Sequence, residues 1–224
     1  MFLSDTYKTA SEINLSMARV YQNMSLAVLT SMIVSYLVGT SPELVAFFFT
    51  GFMKWVVIFA PLVAIFGIAM VLNASPTKNT ALLCLHGFAA LMGLSFATIF
   101  VVYQMGSIVS AFMSAAVLFG VMSFYGYFTK NSLDSLGKFM FVGLIAIIIS
   151  SIINIFIGSS VFSMVISALA VIIFLGLTAY DTQKIREEVT YDRSGLSEIR
   201  GALTLYLDFI NIFLSLLNLF GDRK

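Results

Sequence analysis

Charge is what this chain has least of. Only 10% of its 224 residues are Asp, Glu, Lys or Arg, and 60% are hydrophobic. A soluble domain carries about 25% charged residues, so the deficit excludes one and implies a polytopic membrane protein. The formal net charge of +1 makes no case for nucleic acid or an acidic substrate as partner. A single cysteine, Cys84, excludes an intrachain disulfide and a cysteine-built metal site. A single histidine, His86, excludes a multi-histidine site and reads as a hydrogen-bonded interfacial side chain. No secretory leader is expected either. Residues 1–22 are polar and mixed in charge, with Asp5, Lys8, Glu12 and Arg19, and show no basic start running straight into an apolar core. The first hydrophobic run is therefore expected to stay as a membrane span behind a polar cytoplasmic segment, 1–22.

Apolar runs are abundant. Seven approach the ~20 residues needed to cross a bilayer: 23–38, 55–72, 81–103, 106–128, 138–157, 161–181 and 201–220. Together they define a transmembrane domain over 23–220, an all-α fold. A shorter piece, 44–52, reads as a re-entrant or interfacial segment or the start of a tilted second span. Thr182 to Arg200 reads as the only sizeable loop. With the N-terminus inside, nine basic residues fall on inner segments: Lys8, Arg19, Lys78, Lys130, Lys138, Lys184, Arg186, Arg193 and Arg200. Lys54, Arg223 and Lys224 fall outside. That bias puts the N-terminus in the cytoplasm and the C-terminus outside.

The last run carries the chemistry. Gly201, Thr204, Asp208, Asn211, Ser215 and Asn218 recur at helical spacing on one face, with Leu205, Phe209, Ile210, Phe213 and Leu217 on the others. Lipid offers such a stripe no partners, so it should turn inward. A polar helix–helix seam is the bland reading. Against it, such seams use Ser, Thr, Asn or Gln, whereas the centre here is a carboxylate, which costs ~2.5–3.5 kcal/mol to insert. An intramembrane Asp is a functional-site hypothesis. The other acid at the edge of a span is Asp181, which ends the sixth run on the inner side. Hydropathy alone does not bring the two together.

The run Thr178-Ala179-Tyr180-Asp181-Thr182-Gln183-Lys184-Ile185, with Leu205-Tyr206-Leu207-Asp208-Phe209-Ile210-Asn211-Ile212-Phe213 and Leu216-Leu217, resembles the C-terminal half of the Bax inhibitor family. Gly93-Leu94-Ser95, and Thr129-Lys130 followed by Leu133 and Gly137, agree with it. The resemblance implies a seven-helix bundle with the seventh helix central, and a pH-dependent Ca²⁺ leak in a bacterial inner membrane. It also implies that an aspartate pair on the last two helices, matching Asp181 and Asp208, is the pH sensor and the place where the permeant ion meets carboxylate. Thr204, Asn211, Ser215 and Asn218 then line the pore. Family members with a characterised sensor also carry a basic latch at the inner end of the second helix. This chain has none there, so either Lys78 or Asn73 takes its place or the latch is missing.

No cofactor is expected; Ca²⁺ is the permeant ion, and lipid the surrounding partner. An intramembrane aspartyl protease is the enzymatic rival. It is disfavoured because Leu205-Tyr206-Leu207-Asp208 lacks the Gly-x-Gly-Asp of those enzymes. The alternative to a channel is a non-catalytic regulator of a membrane-anchored quality-control protease, a role the resemblance attributes to some bacterial relatives. The N-terminal tail would be its handle.

Overall fold

The computed structural model describes residues 7–224; Met1 to Thr6, including Asp5, lie outside the described residues. Eight helices follow one another: α1 (Ala10–Gly39), α2 (Pro42–Phe49), α3 (Met53–Asn73), α4 (Lys78–Val102), α5 (Met105–Phe128), α6 (Asp134–Ile157), α7 (Ser160–Tyr191) and α8 (Leu196–Phe220). Seven are long and apolar enough to cross a membrane. The protein is an all-helical membrane bundle. The exception is α2, whose eight residues span only ~12 Å at 1.5 Å each. Ser41 caps it and Pro42 occupies its first turn, so the 44–52 piece is a separate short helix with no buried residue.

Three helix ends differ most from the apolar runs, the start of α1, the end of α7 and the start of α8, for one reason. Hydropathy marks where a helix leaves the apolar zone, while the helix itself ends where its backbone groups are capped. Thr9 and Glu12 form a reciprocal capping box that starts α1 at Ala10. The polar stretch from Ala10 is thus continuous with the first span, and its Ser16, Met17 and Val20 are buried. Likewise α7 runs on through Gln183, Lys184, Arg186 and Glu187, all good helix formers, with Ile185 and Val189 buried. The expected long loop from Thr182 to Arg200 shrinks to 192–195. Asp181 is therefore inside a helix, ten residues short of its end.

The chain forms two compact units, and α7 and α8 each contribute residues to both. The first comprises α1 to α4 with Glu188–Tyr206 and Arg223–Lys224. Its core sets Met17, Val20, Met24 and Ala27 of α1 with Leu85, Phe88 and Ala89 of α4. Gly93 packs directly on the Ser31 backbone, where any β-carbon would collide. Ser31 Oγ donates to the Ala89 carbonyl at 2.7 Å and meets the Tyr206 hydroxyl at 2.7 Å. The hydroxyl of Thr30 donates to the Leu26 carbonyl and meets His86 Nδ1 at 3.1 Å, which matches the bland reading of that histidine.

The second unit comprises Met105–Glu187 with Leu207–Asp222. Gly126 of α5 lies against the Ala179 backbone of α7, and Gly137 of α6 against the Tyr180 ring. Phe209 of α8 meets Phe112 and Phe119 of α5 edge-on, at 5.3 and 5.7 Å between ring centres. The most buried span is α8: 61% of its most apolar window is inside, against 6–33% for the others.

Candidate functional site

Asp181 and Asp208 belong to the same compact unit, and their carboxyl groups lie close enough to interact. Close packing places them. Gly126 admits α5 to the α7 backbone two residues before Asp181, and Ser123 Oγ bonds Thr182 Oγ1 at 3.0 Å one residue after it. Phe209, adjacent to Asp208, is buried among the α5 phenyl rings. Asp208 is 4% exposed, while Asp181 is half-buried. The second oxygen of Asp208, Oδ2, has no hydrogen-bond partner among the described residues. A carboxylate can only accept, so a bond between two carboxyl groups exists only while one of them holds a proton.

Partial access on α8 follows the polar stripe only in part: its Gly201 and Asp208 are buried, and Leu207, Leu214 and Leu219 are half-buried beside it. Thr204, Asn211, Ser215 and Asn218 are half-buried, whereas Leu205, Phe209, Ile212, Phe213 and Leu216 are buried. Thr204 Oγ1 donates to the Arg200 carbonyl and Asn211 Nδ2 to the Leu207 carbonyl, each one turn back on the same helix. Asn218 Nδ2 donates to Ser163 Oγ and Ser167 Oγ at 3.1 and 2.7 Å. With their amide nitrogens so engaged, Asn211 and Asn218 keep their oxygens for another donor or a cation. Among the described residues no cluster of three or more His, Cys, Asp or Glu could hold a metal ion. The aspartate pair offers two carboxyl groups only.

The two candidate latch residues part ways. Asn73 ends α3, exposed. Lys78 pairs with an acid that sequence reading assigned to a loop: its Nζ lies 3.3 Å from Glu198 Oε2. Glu198 is 1% exposed and also meets Arg19 Nη1 at 3.4 Å. Arg200 reaches the C-terminal end of α3 from α8, donating to the Leu72 carbonyl at 2.5 Å. Neither Glu198 nor Arg200 emerged from hydropathy. The signal was nonetheless present in Asp192-Arg193-Ser194-Gly195-Leu196-Ser197-Glu198, a helix start with an acid in its first turn. Asp192 caps that start, accepting from the amides of Ser194 and Ser197 at 2.7 Å each. Burial pushes its carboxyl up, but the hydrogen bonds from Ser194 and Ser197 outweigh this and hold it well below the usual carboxylate range.

Comparison with known proteins agrees along the whole length. The model of the family described as Inhibitor of apoptosis-promoting Bax1 matches residues 13–224. Inner membrane protein YbhL of Escherichia coli (strain K12) is 40% identical over 216 residues, covering 93% of this chain and 92% of that one. A Rickettsia prowazekii protein, RP147, is 37% identical over 218 residues, covering 93% and 89%. One from Deinococcus radiodurans is 33% identical over 220 residues, covering 96% and 94%.

Proposed function

This chain belongs to the Bax inhibitor family, and from that premise we propose that it is a pH-sensitive Ca²⁺ leak channel of a bacterial inner membrane. Its N-terminus faces the cytoplasm, and the Asp181–Asp208 pair is its gate. The observation that carries the reading is the apposition of two carboxyl groups, one of them buried with an oxygen that has no hydrogen-bond partner among the described residues. A shared proton bridges α7 and α8, and its departure replaces the bridge with repulsion between like charges. A group whose charge changes at a contact between two helices is the local event a switch requires. Two carboxylates without a third acid make a passing site for a hard cation rather than a resident one. Thr204, Asn211, Ser215 and Asn218 continue the path with neutral oxygens.

The test is Ca²⁺ flux into liposomes holding the purified protein, measured across pH. Asp181→Asn and Asp208→Asn each flatten the pH dependence, and the double variant is little flatter than either single, because the pair titrates as a unit. Asp208→Asn also lowers the maximum flux. Wild-type pH profiles in both single variants would make the pair structural only.

A further inference from the structure

Glu198 is a buried acid that the aspartate gate does not use. It sits in the first turn of α8 with 1% of its surface exposed. One oxygen meets Arg19 of α1 at 3.4 Å and the other meets Lys78, the first residue of α4, at 3.3 Å. A single carboxylate thus ties three helices.

The surroundings are shaped for it. Lys78 stands where a cation is disfavoured, at the positive end of the α4 dipole, and the first turn of α4 holds no acid to compensate. Glu198 supplies the missing negative charge. Gly195, at φ +77°, takes a left-handed turn that brings the backbone past the Lys78 ammonium; a β-carbon there would lie 3.2 Å from Nζ. Asp192 caps the same turn through Ser194 and Ser197. The two cations keep 48% and 43% of their side chains in contact with water, while the acid keeps almost none. Water can take over the cations, but Glu198 can regain it only if the inner end of α8 moves.

We propose that the Arg19–Glu198–Lys78 clasp is the latch that holds the inner end of α8 at rest, with Glu198 a positioning residue for Asp208. The inference rests on the channel reading given above for the aspartate pair. Asp208 follows Glu198 by ten residues on one unbroken helix, ~15 Å along its axis at 1.5 Å per residue. A turn or slide of the inner end therefore carries Asp208 with it. The latch comes from α8 itself, so no basic residue on α3 is needed.

The experiment compares wild type with Glu198→Gln, which keeps the shape and removes the charge. Resting Ca²⁺ leak in liposomes rises about tenfold, as when a minor open state near ~1% becomes ~10%. The midpoint of the pH profile shifts with it, because latch and gate bias the same equilibrium. Lys78→Gln acts in the same direction, Lys78→Arg restores wild-type behaviour, and Lys78→Gln adds little to Glu198→Gln. A second readout needs no flux. In a Cys84→Ser, Ser197→Cys background, position 197 is 5% exposed in the native chain and reacts slowly with a membrane-impermeant maleimide. Adding Glu198→Gln speeds that reaction about tenfold, by the same population argument. The latch is overturned if labelling stays at the wild-type rate, or if labelling rises while leak and midpoint stay put. If the wild type passes no Ca²⁺ at any pH, the channel reading fails, and labelling alone decides whether the clasp restrains α8.

Discussion

Two buried acids on one helix are accommodated in opposite ways. Glu198 has an opposite charge on each oxygen; Asp208 faces another acid and leaves one oxygen unsatisfied. Burial costs either carboxylate its hydration, and only Glu198 is given ionic partners in return. An acid held by cations acts as a fastener. One held against a like acid has no such fastening role, and on the channel reading proposed above it is the group that answers to protons. On the channel and latch readings proposed above, the difference separates restraint from sensing along a single element.

Stability should show the contrast most strongly. Glu198→Ala is expected to cost about 3 kcal/mol, the low end for breaking a buried pair, since Arg19 and Lys78 can rehydrate. Asp208→Asn should cost less than ~1 kcal/mol, because the charge it removes lacks a counter-ion. Thermal unfolding in detergent measures both, at roughly 2–4 °C per kcal/mol for a chain of this size. A larger drop for Asp208→Asn would invert the comparison.

Glycine replacements ask whether the two regions differ in packing as well as charge. Gly93 and Gly126 press on the backbones of Ser31 and Ala179, whereas Gly87 and Gly120, on the same two helices, have nothing within 4 Å. Alanine at 93 or 126 should destabilise by ~1–3 kcal/mol through overpacking. At 87 or 120 it should stabilise by up to ~1 kcal/mol through helix propensity. Only Gly126→Ala adjoins the aspartate pair, so it alone of the four should also alter the pH profile of flux. A neutral Gly126→Ala would remove close packing from the account of how Asp181 is placed.

The smallest effect concerns the cap beside the clasp. The folded-state pKa of Asp192 is depressed, so its stabilisation is present above the ordinary value of about 3.9 and fades as pH falls toward the folded value. Asp192→Ala should cost ~1 kcal/mol at neutral pH, as helix caps do. The gap from wild type should then narrow in acid. A gap that widens as pH falls would refute the sign.

The spans and the Asp208 stripe were legible because both are local patterns, an apolar length and a helical period. Asp181 could be named as an acid at the edge of an apolar run, but not as the interior of a helix. Residues such as Gln183 and Arg186 lower hydropathy without ending a helix. Glu198 was hidden differently. Amid Glu187, Glu188, Asp192 and Arg193 it reads as one charge in a solvated loop. Its partners lie 179 and 120 positions away, and no window along the chain contains them. The same holds for Arg200, whose acceptor, Leu72, is a carbonyl on another helix. Long-range ionic partners are set by the tertiary fold and leave no period behind.

The depth of α8 within the bundle also has a consequence in time. Helices enter the membrane in the order in which the ribosome makes them, and this one follows the other seven. Until it arrives, Arg19 and Lys78 lack their shared acid, Ser31 lacks the Tyr206 hydroxyl, and the α5 phenyl rings lack Phe209. The earlier helices therefore wait as a half-assembled set, held by contacts such as Gly93 on Ser31. A nascent chain halted before Leu196 would hold six of the seven spans and neither buried acid of α8.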